Sequence, residues 1–218
     1  DLACVAVVRS PLLLQMNSLG VGIVARSPAA LDRIEAALAV QWQVQGDFGP
    51  AEIAERIDID RHLARGALRH TPRSDAMPED NGRWSVDLRI DIPLAAHAPI
   101  EPRSATAVWS PKAHNGHPVL RVWAGTQDLF YVRDVLARHL SLDAEHIAVQ
   151  ACRVGGGFGG RTLCTVELEA AVLAQAVGAP VKVHWSRAQE FSQGFQRPPS
   201  SHRVRARGTA GGPHGRRR

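Results

Sequence analysis

Residues 155–160 read Gly-Gly-Gly-Phe-Gly-Gly, between Val154 and Arg161. Five glycines around one aromatic ring carry a large entropic cost unless the backbone must approach something closely or adopt positive φ. Upstream, Ile147–Cys152 has the β-rich pattern of a strand. Downstream, 165–177 has a helical pattern stopped by Gly178, and Val181–Trp185 reads as the next strand. The loop therefore joins a strand to a helix. Consecutive free backbone N–H groups form an anion-binding concavity, which the positive end of a following helix reinforces. A phosphate or pyrophosphate is the natural ligand, and a tight turn serving only strand–helix packing is the alternative.

Two nucleotide patterns overlap the loop. Gly155-x-Gly157-x-x-Gly160 fits the dinucleotide fingerprint, which expects an acid at the end of the following strand. That strand ends instead in Ser186-Arg187. A P-loop needs Lys-Ser/Thr after the last glycine, and here Arg161-Thr162 follows. A planar guanidinium does not replace the lysine point charge. Each pattern alone is weak in so glycine-dense a segment.

Along the rest of the chain, Val5–Val8 and Gly20–Ala25 read as strands. Ser27-Pro28 is a helix start, with Leu31, Ile34 and Leu38 at helical spacing. Val40, Trp42 and Val44 alternate like a strand. Residues 46–81 read as a linker with one short helix near 51–56. Trp84, Val86, Leu88 and Ile90 share a face and predict a half-buried strand. Ala105–Trp109 and Val119–Trp123 are strand candidates joined through Asn115-Gly116, a hairpin signal. Thr126 is read as the cap of a helix carrying Leu129, Val132, Leu136 and Leu140. After Phe195 the periodicity ends, and disorder is expected.

Charge and cysteine usage exclude several classes. The net charge is +5, but residues 197–218 hold seven arginines and no acid, leaving 19 basic against 21 acidic residues elsewhere. Basicity confined to a tail without interleaved aromatics does not read as a nucleic-acid interface. The apolar runs fall short of the roughly 20 residues of a spanning helix. Cys4, Cys152 and Cys164 form no C-x-x-C pair, which argues against a zinc site or an iron–sulfur cluster. They are read as buried thiols.

Three further segments stand in order with the glycine loop: His97-Ala98-Pro99-Ile100-Glu101-Pro102, then Trp123-Ala124-Gly125-Thr126-Gln127, and, after the loop, Ser186-Arg187-Ala188-Gln189-Glu190. Together they resemble the large, molybdenum-cofactor-binding subunit of the xanthine dehydrogenase/aldehyde oxidase family, especially members similar to the isoquinoline 1-oxidoreductase β subunit. The resemblance covers about 85–200 well and 1–45 more weakly. It implies an α+β fold: a hammerhead-like α/β element and linker over 1–80, part of the first molybdopterin-binding domain with mixed sheets and flanking helices over 81–195, and a basic tail over 196–218. It also implies a molybdenum–molybdopterin cofactor, often in the cytosine dinucleotide form. Gly155, Gly156, Gly157, Phe158, Gly159, Gly160 and Arg161 would surround it, and Gln127 would donate to an oxygen ligand of the metal. His97 and Glu101 are read as structural, Ser186, Arg187 and Glu190 as helix-start and surface-pair chemistry, and neither Cys152 nor Cys164 as a metal ligand.

The resemblance further implies a small-molecule substrate, water as the oxygen source, and electron transfer to a separate iron–sulfur subunit. Purine-oxidising members usually carry an acid after the basic residue of the loop. Thr162 stands there, which favours an aldehyde or N-heterocycle. The family's catalytic glutamate lies near the far C-terminus, and no acid follows Glu190. The expectation is a truncated chain, inactive alone, with no catalytic residue of its own. The alternatives are a nucleotide-binding module and a non-catalytic remnant. Compartment, cytoplasmic or periplasmic, is not legible.

Overall fold

The computed structural model of the chain describes residues 4–13, 20–39, 41, 49–66, 84–114 and 116–206. The chain divides into two compact units. One comprises Asp1–Gln41 and Ala96–Gln196, and the other Trp42–Ala95 and Arg197–Arg218.

The first unit is built on a four-stranded mixed sheet. Strands β5 (Ser104–His114) and β6 (His117–Ala124) form the expected antiparallel hairpin, with Ala107 opposite Val122. Gly116 sits at its turn with φ 82°, while Asn115 lies outside the described residues. β7 (Ile147–Ala151) runs parallel to β6, and β8 (Val181–His184) runs antiparallel to β5, giving the order β7-β6-β5-β8. The strands flanking the glycine loop are thus opposite edges of a mixed sheet. A dinucleotide-binding fold needs neighbouring parallel strands at that point, so the fingerprint reading is overturned by topology.

Helix α5 (Val166–Val177) is the centre of this unit's core. Leu168, Ala170, Ala171 and Ala174 are fully buried, and the helix packs on β5, β8 and the hairpin of β1 (Cys4–Ser10) and β2 (Gly20–Ala25). It stops at Gly178 in the left-handed conformation, as expected. A Cβ on Gly22 would lie 2.6 Å from Leu173 Cδ2 and 3.1 Å from Leu13 Cδ1. Gly22→Ala is therefore expected to cost about 1–3 kcal/mol through overpacking, read as a lowered urea midpoint with unchanged slope.

Helix α1 (Pro28–Ala37) starts as predicted, the Ser27 hydroxyl accepting from Ala30 N–H with Pro28 in the first turn. Its buried residues are Ala30 and Ile34, whereas Leu31 and Leu38, expected inside, are exposed. Helix α4 (Leu129–Leu140) buries Val132, Val135 and Leu136. Its cap is Asp128, whose carboxylate accepts from Tyr131 N–H at 2.9 Å, and not Thr126. Aspartate is the stronger cap, and the Thr126 hydroxyl is engaged elsewhere. Of the thiols, only Cys164 is buried; Cys4 and Cys152 are exposed, against expectation.

The second unit holds α2 (Pro50–Ile57), which covers the expected short helix, and α3 (Ile59–Ala64). It also holds β3 (Val86–Ile92), paired along its length with β10 (Ser200–Ala206). The two-residue strands β4 (Ala95–Ala96) and β9 (Gln196–Arg197) lie where the chain passes from one unit to the other. β10 corrects the expectation of disorder after Phe195 as far as Ala206, and the rest of that tail, 207–218, lies outside the described residues. Arg203 and Arg205 pair with Asp87, Arg203 reaches Asp60, and Arg89 bonds Asp58, Asp60 and Asp91. Those tail arginines neutralise acids of β3 and α3. The alternate face of β3 (Val86, Leu88, Ile90) is exposed and not half-buried as predicted. The candidate strand 40–44 falls almost wholly outside the described residues.

The Arg203 hydrogen bond holds the Asp87 carboxyl below its ordinary value of 3.8, the Arg61 backbone N–H does so for Asp58, and the Ser201 hydroxyl followed by Arg89 for Asp91. Depressed folded-state values mean stability that is present above pH 3.8 and lost as pH falls through the lower folded values. Amide exchange of β3 and β10 is accordingly expected to accelerate selectively below about pH 4, before that of α5. Among the described residues, no helix is long and apolar enough to cross a membrane.

Candidate functional site

Two of the three sequence segments singled out with the glycine loop meet on it, and the third, 186–190, reaches the first of them through Arg187 and Ile100 O. Each of three loop glycines lies against a side chain from one of the first two. A Cβ on Gly155 would come 2.5 Å from Glu101 Cβ, one on Gly157 2.5 Å from Gln127 Oε1, and one on Gly160 2.9 Å from the His97 ring. The remaining loop residues bend the chain. Gly156, Phe158 and Gly159 have φ of 104°, 53° and 92°. Phe158 holds this left-handed conformation without being glycine, and its ring is 73% exposed. Ala98, in the neighbouring segment, also has positive φ. Strain of this kind persists only where the surroundings over-determine it, and it clusters at functional sites.

The loop's donors fall into two sets. Gly155 N–H donates to Glu101 Oε2 at 2.8 Å, Gly160 N–H to Gly157 O at 2.8 Å, and Thr162 N–H to Gly159 O at 3.3 Å. Gly159 and Arg161 N–H both donate to Gln127 Oε1, at 3.1 and 3.2 Å. The amides of Gly156, Gly157 and Phe158 have no acceptor among the described residues. Three consecutive free N–H groups on a backbone of alternating handedness make an anion cradle. Helix α5 contributes less than expected, because it begins only at Val166 and the Glu167 carboxylate already accepts from Thr165 N–H at 2.9 Å.

Gln127 is exposed, and its amide is fixed by chemistry. Two N–H donors on the same side-chain atom identify it as the oxygen, so the NH2 group is the remaining donor. No described residue accepts from that NH2. His97 Nδ1 lies 2.9 Å from Phe195 O, and since a carbonyl only accepts, Nδ1 carries the proton. Arg161 faces the interior and is 3% exposed. Thr162, exposed at the rim, donates its hydroxyl to Gly159 O at 2.7 Å.

Behind the loop is a buried polar cluster that the sequence did not disclose. Glu190, read from sequence as surface chemistry, is 5% exposed. It accepts from Arg103 N–H and pairs with the Arg103 guanidinium at 3.4 Å. Arg103 also lies over the Trp185 ring at 5.2 Å. Burial pushes the Glu167 carboxyl up and pulls the Arg103 guanidinium down from their ordinary values. Arg187 donates to Ile100 O at 2.7 Å, and Ser186 forms a capping box with Gln189. Alternation of Arg103 with Glu190 across 87 residues leaves no local periodic trace, which is why the cluster was missed.

The geometry thus joins three separated segments at one glycine cradle. A family model for the molybdopterin cofactor-binding domain matches residues 74–212. The chain belongs to this family. It is 28% identical over 197 residues to the isoquinoline 1-oxidoreductase subunit beta of Brevundimonas diminuta, covering 86% of this chain and 25% of that protein. It is 27% identical over 179 residues to the aldehyde oxidoreductase molybdenum-binding subunit PaoC of Escherichia coli K12, covering 80% and 24%. Among solved structures, quinoline 2-oxidoreductase from Pseudomonas putida 86 superposes with a TM-score of 0.59 at 22% identity, over 84% of this chain and 24% of that one. The chain shares the fold of that structure and spans about a quarter of the length of the curated relatives it matches. The resemblance to molybdenum hydroxylases read from the sequence is borne out, as is a mixed α+β architecture.

Proposed function

We propose that this chain forms part of the cofactor-holding wall of a molybdenum hydroxylase that oxidises an aldehyde or N-heterocycle with water as oxygen source. The observation that carries the reading is the row of three acceptor-free amides, Gly156 to Phe158, beside the outward NH2 of Gln127. These residues fit the implied group: neutral donors suit a phosphorylated pterin and an oxygen ligand of the metal, and none adds charge. When bound, the molybdenum–molybdopterin group supplies two-electron redox chemistry at a carbon centre.

In this reading the amides of Gly156, Gly157 and Phe158 bind the anionic part of the cofactor. The Gln127 NH2 donates to an acceptor atom on it, and the exposed Phe158 ring lies against it and excludes water. Residues 81–195 are proposed as part of the first molybdopterin-binding domain, and 1–80 as part of a hammerhead-like element. Electrons leave to a separate iron–sulfur subunit, consistent with three unclustered cysteines. Thr162, with its hydroxyl bound back to Gly159 O, offers no carboxylate to a purine. The chain alone is expected to be inactive.

The test is to express the chain in molybdate-replete cells with and without an intact molybdopterin pathway, then measure molybdenum and oxidised-pterin fluorescence per chain. Co-purification of both only from the competent strain supports the reading, and acid release of CMP assigns the cytosine dinucleotide form. A chain that retains neither, but shifts on addition of ATP or NAD, contradicts it.

A further inference from the structure

We propose that Arg161 is a positioning residue that clasps the glycine loop shut and orients Gln127, and that it does not itself touch the cofactor. The proposal rests on the cofactor reading of the loop and deepens it. Arg161 is as buried as the core residues around it, and its contacts run to each of the segments that meet at the loop. Its Nη1 donates to Gly125 O at 3.2 Å and pairs with Glu101 Oε2 at 3.0 Å, and its Nη2 donates to Glu101 O. Its backbone O accepts from Gln127 N–H and the Thr126 hydroxyl, both at 3.0 Å, and its N–H donates to Gln127 Oε1.

These contacts close a ring. Glu101 Oε2, held by the guanidinium, accepts from Gly155 N–H at the start of the loop, and Glu101 N–H donates to Gly155 O at 3.2 Å. Both ends of the loop, Gly155 and Arg161, are thereby tied through one side chain. A Cβ on Gly125 would lie 2.8 Å from Arg161 Nη1, so glycine there admits the guanidinium. The ring holds Gln127 Oε1 on the loop amides and leaves its NH2 as the presented donor. A guanidinium fork reaches acceptors on two segments at once, and a lysine ammonium is a single point donor that does not.

The test measures amide exchange and the Gln127 side-chain NH2 signals by NMR on the cofactor-free chain, for the wild type, Arg161→Met and Arg161→Lys. Loss of charge-assisted hydrogen bonds at a local site predicts exchange at least about tenfold faster at Gly155, Gly159 and residue 161. The Gln127 NH2 signals move to solvent-averaged values in Arg161→Met. Exchange within α5 stays at the wild-type rate. Arg161→Lys restores little of the Gln127 signature, since the fork and not the charge is needed. Unchanged loop exchange and Gln127 signals in Arg161→Met overturn the proposal. So does full rescue by lysine, and so does loss of α5 protection in both variants, which would make Arg161 a general stabiliser. Because no cofactor is involved, failure of the clasp and failure of cofactor binding register separately.

Discussion

Arg103→Met is expected to lower the unfolding free energy by about 3–5 kcal/mol, the range for removing one partner of a buried ion pair. The Arg103 and Glu190 side chains are 4% and 3% exposed, so the surviving carboxylate has no solvent to turn to. The cost extends beyond that pair. The Coulombic pull of Arg103 favours the ionised form of Glu167, whose carboxyl burial already pushes up. The Trp185 ring and the Thr165 hydroxyl, 3.4 Å from Nη1, lose their shared neighbour as well. Urea unfolding checks the magnitude. Adding Glu190→Gln to Arg103→Met should recover a large part of the loss, because the amide removes the stranded charge while keeping an acceptor for Arg103 N–H. A double variant as unstable as the single one would show that packing, and not uncompensated charge, sets the cost.

Gly157→Ala is expected to cut molybdenum and pterin retention about 10–100-fold, the usual scale for losing an oriented neighbour of a metal site, while leaving the fold intact. The added Cβ would sit 2.5 Å from Gln127 Oε1 and 2.7 Å from its Cδ. Alanine accepts the backbone here, since positive φ is found at Gly156, Phe158 and Gly159 but not at Gly157. The clash therefore falls on Gln127, which must leave the Gly159 and Arg161 amides and with them its presented orientation. Metal content per chain, beside an unchanged circular dichroism spectrum, reads the effect. Wild-type retention would remove Gln127 from the site.

Much of this was legible from residues alone where the determinants are local. Ser27-Pro28, the stripe of α4, the stop at Gly178 and the β5–β6 hairpin follow from caps, periodicity and turn chemistry within a few residues. The cap of α4 was misplaced by two residues because Thr126 and Asp128 are both good caps, and only the position of Arg161 O decides between them. What escaped was non-local. Strand β10 shows a period-two pattern of Arg203 and Arg205 against His202 and Val204, but its meaning depends on Asp87 and Asp91, more than 100 residues earlier. The site itself divides the same way. The molybdenum family was readable from its motifs, and so were the loop and Gln127 as the proposed site. That Arg161 turns inward was not, because its partner Glu101 precedes it by 60 residues. Nor does sequence show that the loop glycines answer to His97, Glu101 and Gln127 beneath them as much as to any ligand.

The most direct measurement is residue-resolved amide exchange on the chain loaded with cofactor in cells, set against the chain from cells unable to make molybdopterin. A cofactor held by the glycine cradle predicts new protection at Gly156, Gly157 and Phe158, with the Gln127 side-chain NH2 slowed alongside them. Equal exchange at those four groups in loaded and cofactor-free protein, with protection gained elsewhere or nowhere, would contradict it.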